Sequence, residues 1–254
     1  MLQLPLDQLV LIIAQAALLI TLIARLWSAD LYRIYPFFFS YLLAELLRTV
    51  VLSFIPFKGP AYPSFWVSTE LIVDCFYALI VVELYRVVLR DLHGIATTSR
   101  RYITGTVVAA TLASLVLLRL EETPKNLVSA TLVVDRAIVF SLVIFILLVS
   151  GFLVYYPVRL SRNVVFYSIG YAVYFLTKAT ALFVRTLGHY VAPQIGTALL
   201  IVSSVCLLFW ILTLTKQGEL LTVVIGHKWK SGDEARLLSK LKDINAHLVA
   251  AGKK

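Results

Sequence analysis

Charged residues are scarce in this chain of 254 residues. Only 15% of its residues are charged and 60% are hydrophobic, whereas a soluble domain typically carries about 25% charged and about 45–50% apolar residues. The mean hydropathy is +0.90. This composition excludes an ordinary soluble globular enzyme, and it equally excludes a disordered or fibrous chain.

Cysteine, histidine and catalytic motifs are also rare or missing. Cys75 and Cys206 both fall inside apolar segments, where thiols behave as small hydrophobes, and they define no disulfide framework. None of the four histidines lies deep in an apolar segment, which disfavours axial ligation of a membrane haem. No HExxH, paired CxxC, GxSxG, P-loop or GxGxxG motif occurs. We therefore predict no cofactor and no metal site, and the residues favour a non-enzymatic protein without excluding an unfamiliar membrane enzyme.

Long apolar segments dominate what is present. A membrane-spanning helix needs about 20 predominantly apolar residues. A search of the sequence for apolar stretches of about this length identifies seven segments, at Leu4–Leu26, Ile34–Phe57, Tyr62–Leu89, Tyr102–Leu118, Leu127–Tyr156, Val164–Leu187 and Pro193–Thr215. The expected fold class is an all-α membrane protein with seven transmembrane helices. Residues 1–216 form the membrane domain, and residues 217–254 form a cytoplasmic tail.

The distribution of basic residues predicts the orientation of these helices. With the N-terminus outside, 16 of the 23 Lys and Arg residues lie on the inner side and 5 on the outer side. We therefore expect an N-out, C-in protein of a plasma or inner membrane. The net charge of +9 follows from this bias and from attraction to anionic lipid, so it needs no nucleic-acid partner. Glu83 and Arg86, near the inner end of the third segment, are expected to snorkel or to pair at the surface.

Other charged residues fall within the apolar segments, where charges are costly and usually functional. Residues three or four positions apart lie on one face of a helix, so the pairs in the second and third segments can act together. The set comprises Glu45 and Arg48 in the second segment, Glu70 and Asp74 in the third, Asp135 near the outer end of the fifth, and Lys178 and, farther toward the outer side, Arg185 in the sixth.

Lys178 and Asp74 both lie near the membrane midplane, by the rise of about 1.5 Å per helical residue. We expect Lys178 to contact Asp74, Glu70 or Glu45, since an isolated charge at this depth is unfavourable. Two main interpretations stay open. One is a salt-bridge network that fixes helix packing, and the other is an outward-facing pocket for a small polar or charged ligand. Proton or ion relay is a third, less favoured interpretation.

A lone lysine inside seven helices, with carboxylates on the third, resembles the topology of microbial rhodopsins. The resemblance implies a retinal-type chromoprotein as a minor alternative, with Lys178 as the Schiff-base lysine. The sequence departs from that family at its most specific motif, a D-x-x-x-K pattern on the seventh helix. Here the seventh segment has no lysine before Lys216, and the residue four positions before Lys178 is Tyr174.

The first three and last three segments show signs of an internal repeat. Arg48 aligns with Lys178, and Pro63 with Pro193, at a common offset of 130 residues. The arrangement, with the fourth segment as connector, is similar to that of the SWEET sugar-transporter family. It implies a 3+1+3 helix repeat and, as the alternative function, transport of a small solute that can be proton-coupled.

The tail carries the pattern of a short amphipathic helix. Ser231 and Glu234 form an S-x-x-E capping box. We expect this helix to dock on the membrane or to bind a cytoplasmic protein partner. The leading functional prediction is a receptor-like, sensor or accessory protein in the lipid bilayer, with a small polar ligand from the outer side. The helix face that would meet the cytoplasmic partner is an apolar stripe of Leu237, Leu241, Ile244 and Leu248.

Overall fold

A computed structural model describes residues 6–56, 59, 61–88, 127–155, 158–187, 192–225, 239–240 and 242–243. This part of the chain is predominantly helical. It matches six of the seven predicted segments to within a few residues at each end, and the fourth, Tyr102–Leu118, lies outside the described residues. The long helices are α1 (Leu6–Ser28), α2 (Pro36–Phe54), α3 (Ala61–Val88), α4 (Leu127–Tyr155), α5 (Arg162–Leu187) and α6 (Ala192–Thr213).

Four of these helices, α1, α2, α4 and α6, are long and apolar enough to cross a membrane. Large apolar side chains project from the helix surfaces, among them Phe54 (84% exposed), Leu212 (67%) and Leu47 (65%). Monomeric soluble proteins rarely leave such extensive apolar surface in water. The four helices therefore indicate a membrane-embedded protein.

The six long helices form a closed ring. Each helix packs against the next one in chain order, and α6 returns to pack against α1. Helices α3 and α5 also contact each other across the ring. Charged side chains that face inward from α2, α3, α4 and α5 are therefore brought into one region.

Aromatic side chains fill much of the centre of the ring. Tyr167, Tyr171 and Phe175 recur every four residues on α5, so they lie on one face of that helix, and each is at most 1% exposed. The Tyr171 ring lies 5.7 Å from that of Phe38 and 4.7 Å from that of Trp210, measured between centroids. This stripe links α5 to α2 and α6.

The all-α expectation omits a small sheet. Strands β1 (Val158–Ser161) and β2 (Thr222–Ile225) pair antiparallel at one end of the bundle, with the short helix α7 (Lys216–Leu220) immediately before β2. Each strand has only four residues, too few for a periodic pattern to stand out in the sequence. The β-branched Val and Thr residues in β1 and β2 favour the extended backbone.

The predicted tail helix is described only at residues 239–240 and 242–243, which are helical. Its proposed partner-facing stripe of Leu237, Leu241, Ile244 and Leu248 lies outside the described residues. The stripe therefore stays a prediction.

Candidate functional site

Four neighbouring helices bring six charged side chains together inside the bundle. Helix α2 contributes one positively charged and one negatively charged residue, and α3 contributes two acidic residues. Helix α4 contributes one acidic residue, and α5 contributes the lysine. All six are linked by ion pairs with N···O distances of 4 Å or less. We call this set the charge network, and its members are Glu45, Arg48, Glu70, Asp74, Asp135 and Lys178.

The Lys178 ammonium is the centre of the charge network. Its Nζ atom lies 2.8 Å from Asp135 Oδ1, 3.2 Å from Glu70 Oε1 and 3.8 Å from Asp74 Oδ1. The expected contacts with Glu70 and Asp74 are present, but the nearest carboxylate is Asp135, which sequence reasoning placed farther toward the outer side. Helix α4 packs against both α3 and α5, which brings Asp135 to the same level. The ammonium also lies 4.6 Å from the centroid of the Tyr77 ring, within the range of a cation–π contact.

Arg48 connects α2 to this centre. Its Nη2 atom donates a hydrogen bond to Glu70 Oε2, and its Nη1 atom lies 3.6 Å from Glu45 Oε2. Glu70 is therefore shared between Arg48 and Lys178. Arg185, the seventh predicted site residue, belongs to α5, but its side chain lies outside the described part of the structure.

The charge network contains more acids than bases. Its four carboxylates face two cations, so the fully ionised set carries a net charge of 4 − 2 = 2 negative units. Asp74 is 1% exposed and Asp135 2%. Both oxygens of Asp74 and Glu45 Oε2 are buried without a hydrogen-bond partner among the described residues. Burial of an unbalanced charge is costly, so protons, or a cation from outside the described residues, must balance the excess.

Three of these acids also have the spacing of a cation site. Carboxylate oxygens of Glu70, Asp74 and Asp135 lie within 4.8 Å of one another, a spacing compatible with shared coordination of a hard metal ion. However, the Lys178 ammonium lies within 3.8 Å of all three carboxylates. The protein's own ammonium thus supplies the cation at this point, and the geometry gives no reason to add a metal.

A small cavity of about 10 Å³, with room for about one water molecule, adjoins the charge network through Glu45. It lies among α1, α2, α5 and α6 and has mostly aromatic and polar walls. Three of its lining residues, Glu45, Tyr171 and Trp210, carry a buried polar atom without a hydrogen-bond partner in the described part of the chain. We call it the aromatic cavity. Its lining residues are Gln15, Leu19, Tyr41, Glu45, Tyr171, Tyr174, Ser203, Leu207 and Trp210.

A pair of tyrosines provides a second link between the charge network and the aromatic cavity. The ring of Tyr77 contacts the Lys178 ammonium. The hydroxyl of the same tyrosine is 2.7 Å from the hydroxyl of Tyr174, which lines the cavity. A change at the ammonium can therefore reach the cavity through this hydrogen bond as well as through Glu45. The two features form one continuous polar region.

A second polar cluster lies farther along α3. Glu83 is only 3% exposed, and it accepts hydrogen bonds from the backbone N–H groups of Phe37 (2.6 Å) and Phe38 (3.3 Å) and from the Tyr167 hydroxyl (3.0 Å). The first N–H groups of a helix have no partner within it, and they favour a negative charge. Glu83 therefore caps the N-terminus of α2 from a neighbouring helix.

The expectation that Glu83 snorkels or pairs at the surface is wrong. Arg86 is exposed, whereas Glu83 points inward to the start of α2. Sequence reasoning missed this role because the main partners of Glu83 are backbone groups on another helix. One available signal was Pro36, since proline at the first position marks a helix start whose free N–H groups need an acceptor.

Glu219 has a similar role at the same end of the bundle. It accepts hydrogen bonds from the Tyr35 hydroxyl (3.0 Å), Ser161 Oγ (3.2 Å) and Asn163 Nδ2 (3.2 Å). Asn163 is fully buried and also bonds the backbone of Thr215 through both of its amide atoms. Burial, reinforced by Glu219, raises the pKa of Tyr35, so this hydroxyl stays a donor at neutral pH. These residues with Glu83 form what we call the capping cluster: Tyr35, Glu83, Ser161, Asn163, Tyr167, Thr215 and Glu219.

Comparisons of the chain with protein families, curated proteins and solved structures find no significant match. A proposal about function therefore depends on the chemistry of the charge network and the aromatic cavity.

Proposed function

We propose that this chain is a non-enzymatic, receptor-like or accessory membrane protein that binds a small polar ligand at the charge network, beside the aromatic cavity. The observation that carries the proposal is the excess of buried carboxylates over cations among the described residues, next to a small cavity with unpartnered polar atoms. A network that served packing alone would pair its charges, because an uncompensated buried charge destabilises the fold. Binding sites commonly keep such polar groups available.

We also propose seven transmembrane helices with the N-terminus outside and the C-terminus in the cytoplasm. Helices α3 and α5, with 28 and 26 residues, are long enough to span the bilayer although they carry internal charges. The segment Tyr102–Leu118 supplies the seventh span. In this orientation the charge network lies in the outer half of the membrane, and the capping cluster lies near the cytoplasm.

Cysteine labelling tests this topology. In a background without Cys75 and Cys206, Thr123→Cys should react with a membrane-impermeant maleimide in intact cells, and Ser231→Cys should react only after permeabilisation. The reason is the larger number of basic residues on the side of Ser231. Labelling of residue 231 from outside intact cells would refute the orientation.

The substitution Asp74→Asn tests the proposed binding role. Both Asp74 oxygens lack a hydrogen-bond partner in the described part of the chain, and Asn has the same shape without the charge. If the excess charge is kept for binding, the variant should unfold at the same or a higher temperature than the wild type, since one unbalanced charge is removed. It should also lose the stabilisation that a bound ligand gives.

The matched control is Glu83→Gln, which removes one carboxylate charge from a buried glutamate with three hydrogen bonds. Thermal unfolding of both purified variants in the same detergent gives the comparison. If Asp74→Asn lowers the unfolding temperature as much as Glu83→Gln does, the charge network is architectural and the proposal is wrong.

A proton-coupled transporter is the second candidate, and one observation favours it. Polar groups continue beyond the charge network, from Tyr77 and Tyr174 past Tyr171 to Tyr167 and Glu83. A transporter needs polar groups that lead toward both sides of the membrane. Proteoliposomes with an internal pH dye separate the two candidates: proton flux that Asp74→Asn abolishes favours a transporter, and absence of flux favours the receptor-like function.

A further inference from the structure

Three acids share one ammonium at the centre of the charge network. Lys178 Nζ lies 2.8 Å from Asp135 Oδ1 and 3.2 Å from Glu70 Oε1, and both distances allow hydrogen bonds. It lies 3.8 Å from Asp74 Oδ1, which is too far for one. Glu70 also accepts a hydrogen bond from Arg48, so it has a second cation. Of the three acids, Asp74 therefore receives the least from the cations.

The surroundings of Asp74 do not favour an anion. The side chain is 1% exposed, so water does not solvate it, and neither of its oxygens has a hydrogen-bond partner among the described residues. An ionised carboxylate in such a place is costly, and the group takes up a proton instead. The neutral acid is much less costly to bury, because its hydroxyl needs only one acceptor.

That acceptor lies beside Asp74. Carboxylate oxygens of Glu70, Asp74 and Asp135 lie within 4.8 Å of one another. Two ionised carboxylates in one buried site repel each other, whereas a single proton held between them removes the repulsion. Asp135 has the shortest contact with Lys178, so it is the acid that keeps its negative charge, and Asp74 is the one that takes the proton.

The other polar groups around Asp74 add no further cation to the two that are already shared. Helix α2 brings Glu45 and Arg48, which face each other at 3.6 Å. Helix α5 brings Tyr174, whose hydroxyl is 2.7 Å from that of Tyr77 on α3. Both tyrosine hydroxyls are thus engaged with each other, and neither is a cation. The proton is the simplest counter-charge for Asp74.

We infer that the charge network is a proton-binding site, in which Asp74 holds the proton and donates it in a hydrogen bond to the Asp135 carboxylate. Asp135 stays ionised and pairs with Lys178. Release of the proton creates a second free carboxylate beside the ammonium, so Lys178 must then divide between α3 and α4. Uptake and release of this proton therefore change how α3, α4 and α5 are held together. The inference goes beyond the proposed function, because it concerns the protein before any ligand binds.

Infrared spectroscopy tests the inference with the full-length protein in lipid nanodiscs at neutral pH. A protonated carboxylic acid has a C=O stretch well above the amide I band. An isotope label in the side-chain carboxyl of aspartate moves that stretch for aspartic acids and leaves it in place for glutamic acids. We expect one label-sensitive acid band in the wild type, and it should move to lower frequency in deuterated water once the proton has exchanged.

Variants assign the band to one residue. Asp74→Asn should remove it, since no acid remains at that position. Asp74→Glu keeps a carboxyl group, so the label-sensitive band should disappear and an acid band without the label should replace it; this variant serves if Asp74→Asn does not fold. The control is Asp30→Asn, an exposed charge removal at a left-handed backbone position (φ 59°) that Asn tolerates. It should leave the band unchanged.

The pH dependence of stability gives a second measurement. Aspartate in the unfolded chain is ionised at neutral pH, whereas the folded protein holds the proton on Asp74. A proton that only the folded state binds stabilises that state less as the pH rises. From weakly acidic to weakly alkaline pH, the unfolding temperature of the wild type should therefore fall more steeply than that of Asp74→Asn.

The outcomes separate this inference from the proposed function. Absence of a label-sensitive acid band in the wild type, or a band that persists in Asp74→Asn, overturns the proton site, and so does an equal pH dependence of the two proteins. The proposed function survives these results, because it depends on the loss of ligand stabilisation in Asp74→Asn and on the comparison with Glu83→Gln. If Asp74→Asn destabilises the protein like Glu83→Gln while the acid band is present, the proposed function fails and the proton site stands.

Discussion

The charge network and the capping cluster are two buried polar regions of one bundle, and they differ in how their carboxylates are satisfied. Glu83 and Glu219 each accept three hydrogen bonds. Asp74, which is buried like Glu83, accepts none from the described residues. Asp74 and Glu83 are nine residues apart on α3, about 14 Å along the helix axis. Burial alone therefore does not distinguish Glu83 from Asp74, whereas hydrogen bonding does.

The chemical nature of the partners explains the difference. The capping cluster uses neutral donors with fixed positions, such as backbone N–H groups and the amide of Asn163, and these fit one arrangement only. The charge network relies on two long cationic side chains that are shared among four acids. Long side chains can change partners at modest cost, while a backbone N–H cannot. We therefore expect the charge network to reorganise around a ligand and the capping cluster to hold the helices in place.

The largest effect is expected for Lys178→Met. This change removes the cation that Asp135, Glu70 and Asp74 share, and it leaves three buried acids without it. Breaking a buried ion pair from one side typically costs about 3–5 kcal/mol. Thermal or denaturant unfolding of the purified protein measures the loss.

Lys216→Met is the matched control, because that lysine side chain is 73% exposed and only 3.7 Å from the exposed Asp30. Exposed pairs contribute little, so the control should change the free energy of unfolding by less than about 0.5 kcal/mol. Adding Asp135→Leu to Lys178→Met should restore only part of the stability, since Glu70 and Asp74 remain. Equal stability of Lys178→Met and Lys216→Met would show that Lys178 does not balance the buried acids.

An intermediate effect is expected for Glu83→Gln. The variant keeps one acceptor oxygen for α2 but loses the charge that the helix N-terminus favours. Loss of a helix cap costs about 0.5–2 kcal/mol, and hydrogen exchange should quicken at Phe37 and Phe38. Unfolding and exchange experiments measure the two effects. Unchanged protection of these two amides would contradict the capping role.

The sequence predicted the helices and part of the charge network for clear physical reasons. Apolar runs of about 20 residues are hard to mistake, and the six described helices match their predicted segments closely. A charge deep in the membrane needs a partner, and this reasoning correctly brought Lys178 together with Glu70 and Asp74.

The capping cluster and the small sheet were not predictable in the same way. Glu83 bonds backbone groups 45 and 46 residues away, and Asn163 bonds Glu219 across 56 residues. Such contacts depend on how the helices pack, which hydropathy does not encode. Strands β1 and β2, with four residues each, are likewise formed only once α5 and α7 bring them together.

The smallest expected effect comes from removing one tyrosine hydroxyl in the capping cluster and one in the aromatic cavity beside the charge network. Tyr35 and Tyr171 are 0% and 1% exposed, but the Tyr35 hydroxyl donates to Glu219, whereas that of Tyr171 has no partner among the described residues. Tyr35→Phe should therefore lower the free energy of unfolding by about 0.5–1.5 kcal/mol, the usual contribution of one hydrogen bond. Tyr171→Phe should leave it unchanged or raise it, because it removes an unsatisfied buried hydroxyl. Denaturant unfolding of both variants resolves a difference of this size, and equal losses would mean that the Tyr171 hydroxyl is already satisfied in the protein and is not available to a ligand.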